Sequence, residues 1–589
     1  MKIKHLFGLA VIAAMTASCS SNEDLGTAGS GTGTNEAGVG YVAFNINLPT
    51  TNGTRAGNPT YEQGTLDEYD VNDVTLLIFQ KTATSKSEGD YTFVEKADLG
   101  NMAPWKAEGA NGITASATIT AKLDSVALTG TEYYALAILN NKTANDVKVK
   151  DPSKDQTYSD WNEAGNAFPA NFIDNSKGFY MANAPKFTSG EPETLVKIDK
   201  VYATKQKAET NAATTIHVER GLAKVTVASF PTDKHPSGTK YTGDMVDITA
   251  WKLDVTNKST FPIHKTAGLK NANFSTIWTP STATVPTVPS VARFVDGSNS
   301  VFKRVYWGVD PNYSDKKYYD GDATTKKTAL DCCKDAFNMI TNDQVDGAAG
   351  DANPQYCLEN TFDLDNMKQG QTTRVVFKAK YTPKSITPDE NGTFYKIGKN
   401  EALWNSADLE KHITAAVTKV VADASVAGAT TTITLKGSDN DLTAAGNRML
   451  QASNIKVTKA TGDVVTLKTE DVKAINNKLG LSEGYGISTY EKGESYYIAR
   501  IKHFGDLTPW TEGQETYGKN DDAHNTNYLG RYGVLRNNWY ELTVGSVSGP
   551  GTPDVPTIKP DEPDDESYKY ISVSVKILSW AKRSSTVDL

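Results

Sequence analysis

Cysteine is nearly absent from this chain: four residues in 589. Cys19 stands alone near the start, and Cys332, Cys333 and Cys357 remain, an odd number that cannot form a full disulfide framework. Histidine is also sparse. Its seven copies, from His5 to His524, are scattered, with no His-Glu-x-x-His pair and no cysteine pair at zinc spacing, so no metal site is expected. Neither a Gly-x-Ser-x-Gly elbow nor a Gly-x-x-x-x-Gly-Lys-Ser/Thr phosphate loop occurs. Asp363-Leu364-Asp365 and Asp439-Asn440-Asp441 have carboxylates for calcium but break the loop pattern, and read as solvated turns. These absences point away from an enzyme and call for no cofactor. Positive charge is not in excess either: a net charge of -9 lacks the basic footprint of a nucleic-acid partner.

Long apolar runs are missing as well. The run LFGLAVIAAM, preceded by Lys2 and Lys4, falls short of the roughly eighteen residues needed to cross a bilayer, and no later stretch reaches that length. Residues 1–18 read instead as a secretion signal. Thr16-Ala17-Ser18 before Cys19 resembles the bacterial lipobox, with Thr16 where Leu is usual; the cleaved chain would then begin with a diacylated Cys19. The alternative is ordinary signal-peptidase cleavage beside an incidental cysteine. Ser20-Ser21-Asn22-Glu23-Asp24 resembles the serine-acidic tract that sends Bacteroidota lipoproteins to the outer face of the outer membrane, or serves as a plain polar tether.

Arginine is the next scarcity. Arg55 is the only one before Arg220, although lysines are plentiful over the same span. It sits among the turn formers Thr50-Thr51-Asn52-Gly53-Thr54 and Ala56-Gly57, where an arginine-specific protease could cut once, between Arg55 and Ala56. The alternative is a surface turn. Just upstream, Val42, Phe44, Ile46 and Leu48 alternate with polar residues as one face of a strand. Cutting at Arg55 would remove that strand together with the lipid.

What is abundant fits a mainly β fold. Charged residues at 22% and a mean hydropathy of -0.46 describe a soluble globular chain long enough for several cores. Strand-like runs recur at 74–79, 133–139, 216–227, 374–381 and 539–547, divided by Gly, Asn, Asp and Pro. A new set of strands starts near Ile216; Ile216, Val218 and Leu222 share one face and Val225 and Val227 the other, which predicts a bulge near Gly221. Two helices are expected: 401–423, with Leu409, Ile413, Val417 and Val420 on one face, and 469–479, with Thr469 as N-cap and Gly480 past its end. Both read as surface decorations of a sandwich.

The tail repeats the alternation. Ile571, Val573, Val575 and Ile577 alternate with Ser572, Ser574 and Lys576, and Leu578 and Trp580 follow after a one-residue change of phase. The spacer GPGTPDVPTIKPDEPDDES separates this strand from everything before it. A lone strand does not stay folded in water, so the apolar row must fill a groove in its own subunit or in another copy.

A removable first strand and a separate last strand suggest donor-strand complementation. The chain resembles the fimbrillins of Bacteroidota type V pili, closest to the structural subunit of the minor (Mfa-type) fimbrium. The resemblance is carried by residues 216–227 (IHVERGLAKVTV), 251–264 (WKLDVTNKSTFPIH), 306–313 (YWGVDPNY), 356–361 (YCLENT), 532–547 (YGVLRNNWYELTVGSV) and 570–589. It implies two transthyretin-like β-sandwich domains with short helical insertions and a detached C-terminal donor strand. The implied divisions are a signal peptide at 1–18, a lipid-anchored propeptide at 19–55, sandwiches at 56–215 and 216–548, a Pro/Asp-rich linker at 549–567 and the donor strand at 568–589. The implied partners are other copies of the chain, tip and anchor subunits, an Arg-specific protease, and host or bacterial surface ligands. The alternative is a non-polymerising surface lipoprotein, a tip adhesin or a glycan- or protein-binding receptor. With Cys19 assigned to lipid, a bridge from Cys357 to Cys332 or Cys333 is expected, since adjacent cysteines bond to each other only with strain.

Overall fold

The computed structural model describes residues 39–48, 68, 70–99, 116–187, 192–232, 234–267, 305–503, 530, 532–564 and 571–579. The chain is mostly β, as the alternating runs require.

Among the described residues the first sandwich has eight strands: β1 (Gly40–Asn47), β2 (Val74–Lys81), β3 (Thr92–Asp98), β4 (Ser116–Leu123), β5 (Glu132–Leu139), β6 (Met181–Asn183), β7 (Val196–Lys197) and β8 (Thr214–Arg220). Their order is β3-β2-β5-β6-β8-β1-β4, with β7 on β5. Phe93 of β3 and Ile119 of β4, from opposite ends of that order, share one core with Phe44, Ile78 and Leu136, so the sheet folds over on itself. Short α-helices lie in its connections: α1 (Tyr158–Trp161), α2 (Pro169–Ile173) and α3 (Lys205–Glu209). Trp161 is fully buried, and its indole N–H donates to the Lys150 carbonyl at 2.8 Å, which meets the polar demand of a ring placed in the core.

The second sandwich begins with β9 (Leu222–Val227) and β10 (Met245–Asp254). A ribbon of β11 (Thr256–Asn257) and β12 (Phe337–Asn338), with α4 (Lys317–Asp320) and α5 (Ala329–Ala336), precedes β13 (Gln355–Leu358) and β14 (Arg374–Thr382). An excursion then carries β15 (Phe394–Ile397), β16 (Leu403–Trp404), α6 (Ser406–Val420), β17 (Thr430–Ile433), β18 (Gly446–Arg448), β19 (Ile455–Thr458), β20 (Val464–Val465), α7 (Thr469–Lys478) and β21 (Ile487–Tyr490). The chain returns as β22 (Glu494–Arg500), β23 (Asn538–Val547) and β24 (Ile571–Ser579). Sheets β10-β14-β22 and β13-β9-β23-β24 enclose a core that includes Trp251, Phe377, Tyr497, Val225 and Leu542.

Several expectations are corrected. The division between sandwiches falls at Gly221, not at Ile216. Ile216, Val218 and Leu222 belong to the first core, while Ala223, Val225 and Val227 belong to the second. What reads as a bulge is the chain passing from one sheet to another across a single residue. Gly221 is required there, because a β carbon would lie 2.9 Å from the Tyr180 ring and 3.0 Å from that of Phe172.

The helical insertions are also more than decorations. α6 and α7 share a separate core with Tyr395, Ile397, Leu435, Val457 and Ile487, in which Leu409, Ile413 and Val417 are fully buried. This third unit sits between β14 and β22. The first helix is shorter than its pattern suggests: Leu403 and Trp404 pair with β15, and Asn405 caps α6 by accepting from the Asp408 N–H at 2.9 Å. In α7, Lys468 rather than Thr469 is the N-cap, and the Asp471 carboxylate accepts from the Lys468 N–H at 2.8 Å. Gly480 follows with φ +74, the left-handed turn expected past a helix end.

Candidate functional site

The alternation Val42-Phe44-Ile46 produces β1, Leu48 continues it just past the strand's end, and all four side chains are at most 3% exposed. β1 is an interior strand. It runs antiparallel to β4, pairing Val42 with Ala121, Phe44 with Ile119 and Ile46 with Ala117. On its other side it runs parallel to β8, pairing Phe44 with Thr214 and Ile46 with Ile216. Gly40 admits the close approach of the chain at its start, since a β carbon there would lie 2.2 Å from Val201 Cγ1. Taking β1 away would open a slot between β4 and β8, with unpaired backbone on both walls.

The tail occupies a different kind of seat. It is not detached: β24 is hydrogen-bonded antiparallel to β23 in the same chain, at the edge of the order β13-β9-β23-β24. The sequence pattern called for an apolar seat, and β23 supplies one through Tyr540, Leu542 and Val544, all buried. The register sets Ile577 opposite Tyr540, Val575 opposite Leu542, Val573 opposite Val544, Leu578 opposite Trp539 and Ile571 opposite Val547, with a shift between Val544 and Ser546. Val573 packs partly buried against the second core. The Pro/Asp-rich linker is not a free spacer either. Tyr497 and Tyr490 donate their hydroxyls to the carbonyls of Gly549 and Gly551, each at 2.9 Å, and Thr552 exchanges two backbone hydrogen bonds with Tyr496 at 2.8 and 2.9 Å.

Between the sandwiches lies a buried polar junction that the sequence pattern did not reveal. Glu68, 0% exposed, accepts from Lys224 Nζ at 2.7 Å and from the Tyr356 hydroxyl at 2.8 Å through one carboxylate oxygen. Its carbonyl accepts from Arg220 Nε and Nη2 at 3.0 and 2.8 Å. The Lys224 ammonium also lies 3.9 Å from the centre of the Trp539 ring. Nearby, His264 Nδ1 is 2.9 Å from Glu219 Oε1, and Arg536 Nε stands 3.6 Å from Glu359 Oε1. Residues 216–227, 251–264, 356–361 and 532–547, distant in sequence, all contribute here. The arrangement fixes Glu68, the described residue nearest downstream of Arg55, to both sandwiches at once.

The expected disulfide is absent. Cys332, Cys333 and Cys357 are all buried and unbonded. Cys333 lies on α5 in a small core with Tyr318 and Phe337, and its Sγ donates to the Tyr318 carbonyl at 3.2 Å, whereas Cys357 lies on β13 inside the second sandwich. The helix pair and the lone cysteine therefore serve different cores. Asp363 caps a single turn by accepting from the Asp365 N–H at 3.1 Å and from Asn366 Nδ2 at 2.7 Å, and Asp441 accepts from the Thr443 N–H at 2.8 Å. Among the described residues no cluster of three or more His, Cys, Asp or Glu is arranged to hold a metal. Cys19, Arg55, Ala56 and Trp580 lie outside the described residues.

Residues 488–586 match the family model described as major fimbrial subunit protein type IV, Fimbrillin, C-terminal. That span holds β22, β23 and β24, the seat of the tail and the tail itself. No curated protein matches the chain. Among solved structures, a fimbrilin from Porphyromonas gingivalis W83 aligns at 11% identity over 91% of this chain and 96% of its own, with a TM-score of 0.34. A fimbrial assembly protein from Parabacteroides distasonis ATCC 8503 aligns at 13% identity over 39% of this chain and 69% of its own, with a TM-score of 0.21. TM-scores of this size do not establish a shared arrangement.

Proposed function

We propose that this chain, which carries a fimbrillin C-terminal region over residues 488–586, is a structural subunit of a bacterial surface fimbria built from copies of itself by donor-strand exchange. The precursor is exported as a lipoprotein acylated at Cys19 and anchored in the outer membrane. An Arg-specific protease then cuts between Arg55 and Ala56, which removes β1 with the lipid. The tail of a second copy fills the emptied slot. Tip and anchor subunits complete the filament, which adheres to host or bacterial surfaces and supports biofilm formation.

One observation carries this reading. β1 is an interior strand, it and the residue after it carry the buried row Val42, Phe44, Ile46 and Leu48, it lies upstream of Arg55, and the tail repeats that alternation as Ile571, Val573, Val575 and Ile577. Full burial of such a row contributes very roughly 6–12 kcal/mol before ordering and association are subtracted. An empty slot is therefore unstable in water, and a strand of the same pattern suits it. The test is N-terminal sequencing of filament protein beside the polymer ladder of a chain lacking residues 568–589. Filament subunits beginning at Ala56, and a cleaved monomer from the truncated chain, are expected; Cys19 or Ser20 at the filament N-terminus rejects the uncapping step.

The seating of β24 within its own subunit favours a second reading, a surface lipoprotein that does not polymerise. Intact ladders from the truncated chain return the tail to the role of an ordinary last strand, and labelled filaments missing from the cell surface support this second reading.

A further inference from the structure

Residues 549–564 cross the second sandwich, held by side chains from several separate segments. Beyond the Thr552 bridge, the Val555 N–H donates to Asn342 Oδ1 at 2.8 Å. The Pro556 carbonyl accepts from Arg374 Nη2 at 2.6 Å, and the same guanidinium is fixed by Asp254, whose Oδ2 accepts from Arg374 Nε at 2.8 Å. Ile558 is buried in the small core beside Cys333 and Phe337. At the far end Asp564 is 1% exposed; its N–H donates to the Met367 carbonyl at 3.2 Å and its carboxylate accepts from the Thr372 hydroxyl at 2.8 Å. Drawing this segment off the body would break these hydrogen bonds together and uncover Ile558, so the segment is held along its length. β24 differs, since among the described residues β23 is the one strand to which it is hydrogen-bonded.

We propose that residues 549–564 form a strap that stays on the body when the final strand passes to a second copy of this chain, so that Asp564 fixes the point from which the strand departs. The proposal rests on the donor-strand reading above. It limits geometry: six residues lie between Asp564 and Ile571, and the seven backbone steps, at 3.3–3.6 Å each, allow about 25 Å, so the acceptor slot must come within that distance of Asp564.

Two engineered disulfides separate the strap from the strand. Leu542→Cys with Val575→Cys joins residues paired across β23 and β24 and locks the tail in its own subunit; Thr372→Cys with Asp564→Cys locks the strap. Each full-length double variant is processed under oxidising or reducing conditions, and the polymer ladder is read on unheated gels. The tail lock should abolish the ladder until reductant is added, and the strap lock should leave it unchanged. Loss of the ladder in both, restored by reductant, overturns the fixed strap while strand donation stands. A full ladder from the oxidised tail lock rejects donation itself and the strap proposal with it. Should the Thr372/Asp564 pair fail to fold, hydrogen exchange of the unmodified chain decides: the Thr552, Val555 and Asp564 amides should stay protected before and after assembly, and loss of their protection on assembly overturns the strap.

Discussion

Phe44→Ala separates the precursor from the assembled state. Phe44 is 0% exposed, paired with Ile119 on one side and Thr214 on the other, inside the first core. Truncating a buried Phe costs about 3–5 kcal/mol, because the removed ring leaves a cavity that closes only in part. A domain of this kind has roughly 5–15 kcal/mol of total stability, so the uncut precursor should be visibly weakened. In the filament the same substitution should have no effect, since residue 44 has left with the propeptide. Ile216→Ala is the control: Ile216 on β8 faces the same slot opposite Ile46, remains after cleavage, and should weaken both states by about 2–5 kcal/mol. The assay is urea unfolding of the precursor held uncut by Arg55→Ala, beside the temperature at which filaments of each variant dissociate in SDS. Phe44→Ala filaments that dissociate as early as Ile216→Ala filaments would refute the reasoning, because β1 would then still be in place.

Four further outcomes are expected. Glu68→Gln strips the buried Lys224 of its ion-pair partner and should cost about 3–5 kcal/mol, while the double change Glu68→Leu with Lys224→Met should recover most of it; a double variant no better than the single in urea unfolding would contradict this. Burial pushes the Glu88 carboxyl from 4.5 up to about 7, against the pull of the Leu195 and Thr194 N–H donors. The folded state then holds a proton that the unfolded state releases, so stability falls as pH rises from about 4.5 to about 7, by at most about 3 kcal/mol at 1.36 kcal/mol per pH unit. Glu88→Gln should flatten that part of the stability profile, and an unchanged slope would reject the assignment. Burial also pushes the Cys333 and Cys357 thiols up to about 12, so the folded cleaved chain should resist a thiol reagent and the denatured chain should take up three equivalents, one for each unbonded cysteine; one equivalent would reveal a disulfide. Val575→Asp should abolish polymer ladders by carrying a carboxylate into an apolar groove, where desolvation costs several kcal/mol, and Ser574→Asp should polymerise; equal behaviour of the two would refute the one-sided face of the tail.

The first strand was legible because four apolar residues at period two leave one interpretation, and Gly40–Asn47 follows it closely. The same pattern defined β24 as a strand but not its neighbour, because alternation specifies a face and says nothing about which edge receives it. At Gly221 the alternation of 216–227 changes phase, and a bulge and a change of sheet give the same signature over so few residues. The third core escaped notice because its strands are short, such as Thr430–Ile433 and Val464–Val465, too brief for a period to show, so only α6 and α7 stood out. Composition misled at the linker: Pro and Asp mark a spacer, yet Ile558 and Asp564 are buried. The Glu68 to Lys224 pair joins residues 156 apart, and no local pattern announces such a partner.

Electron cryo-microscopy of filaments purified from the native surface, at a resolution that distinguishes side chains, would read the strand between β4 and β8 directly. Ile571, Val573, Val575 and Ile577 of a neighbouring subunit are expected in that slot, in a chain that begins at Ala56. Val42, Phe44, Ile46 and Leu48 of the same subunit still in place would rule out strand exchange.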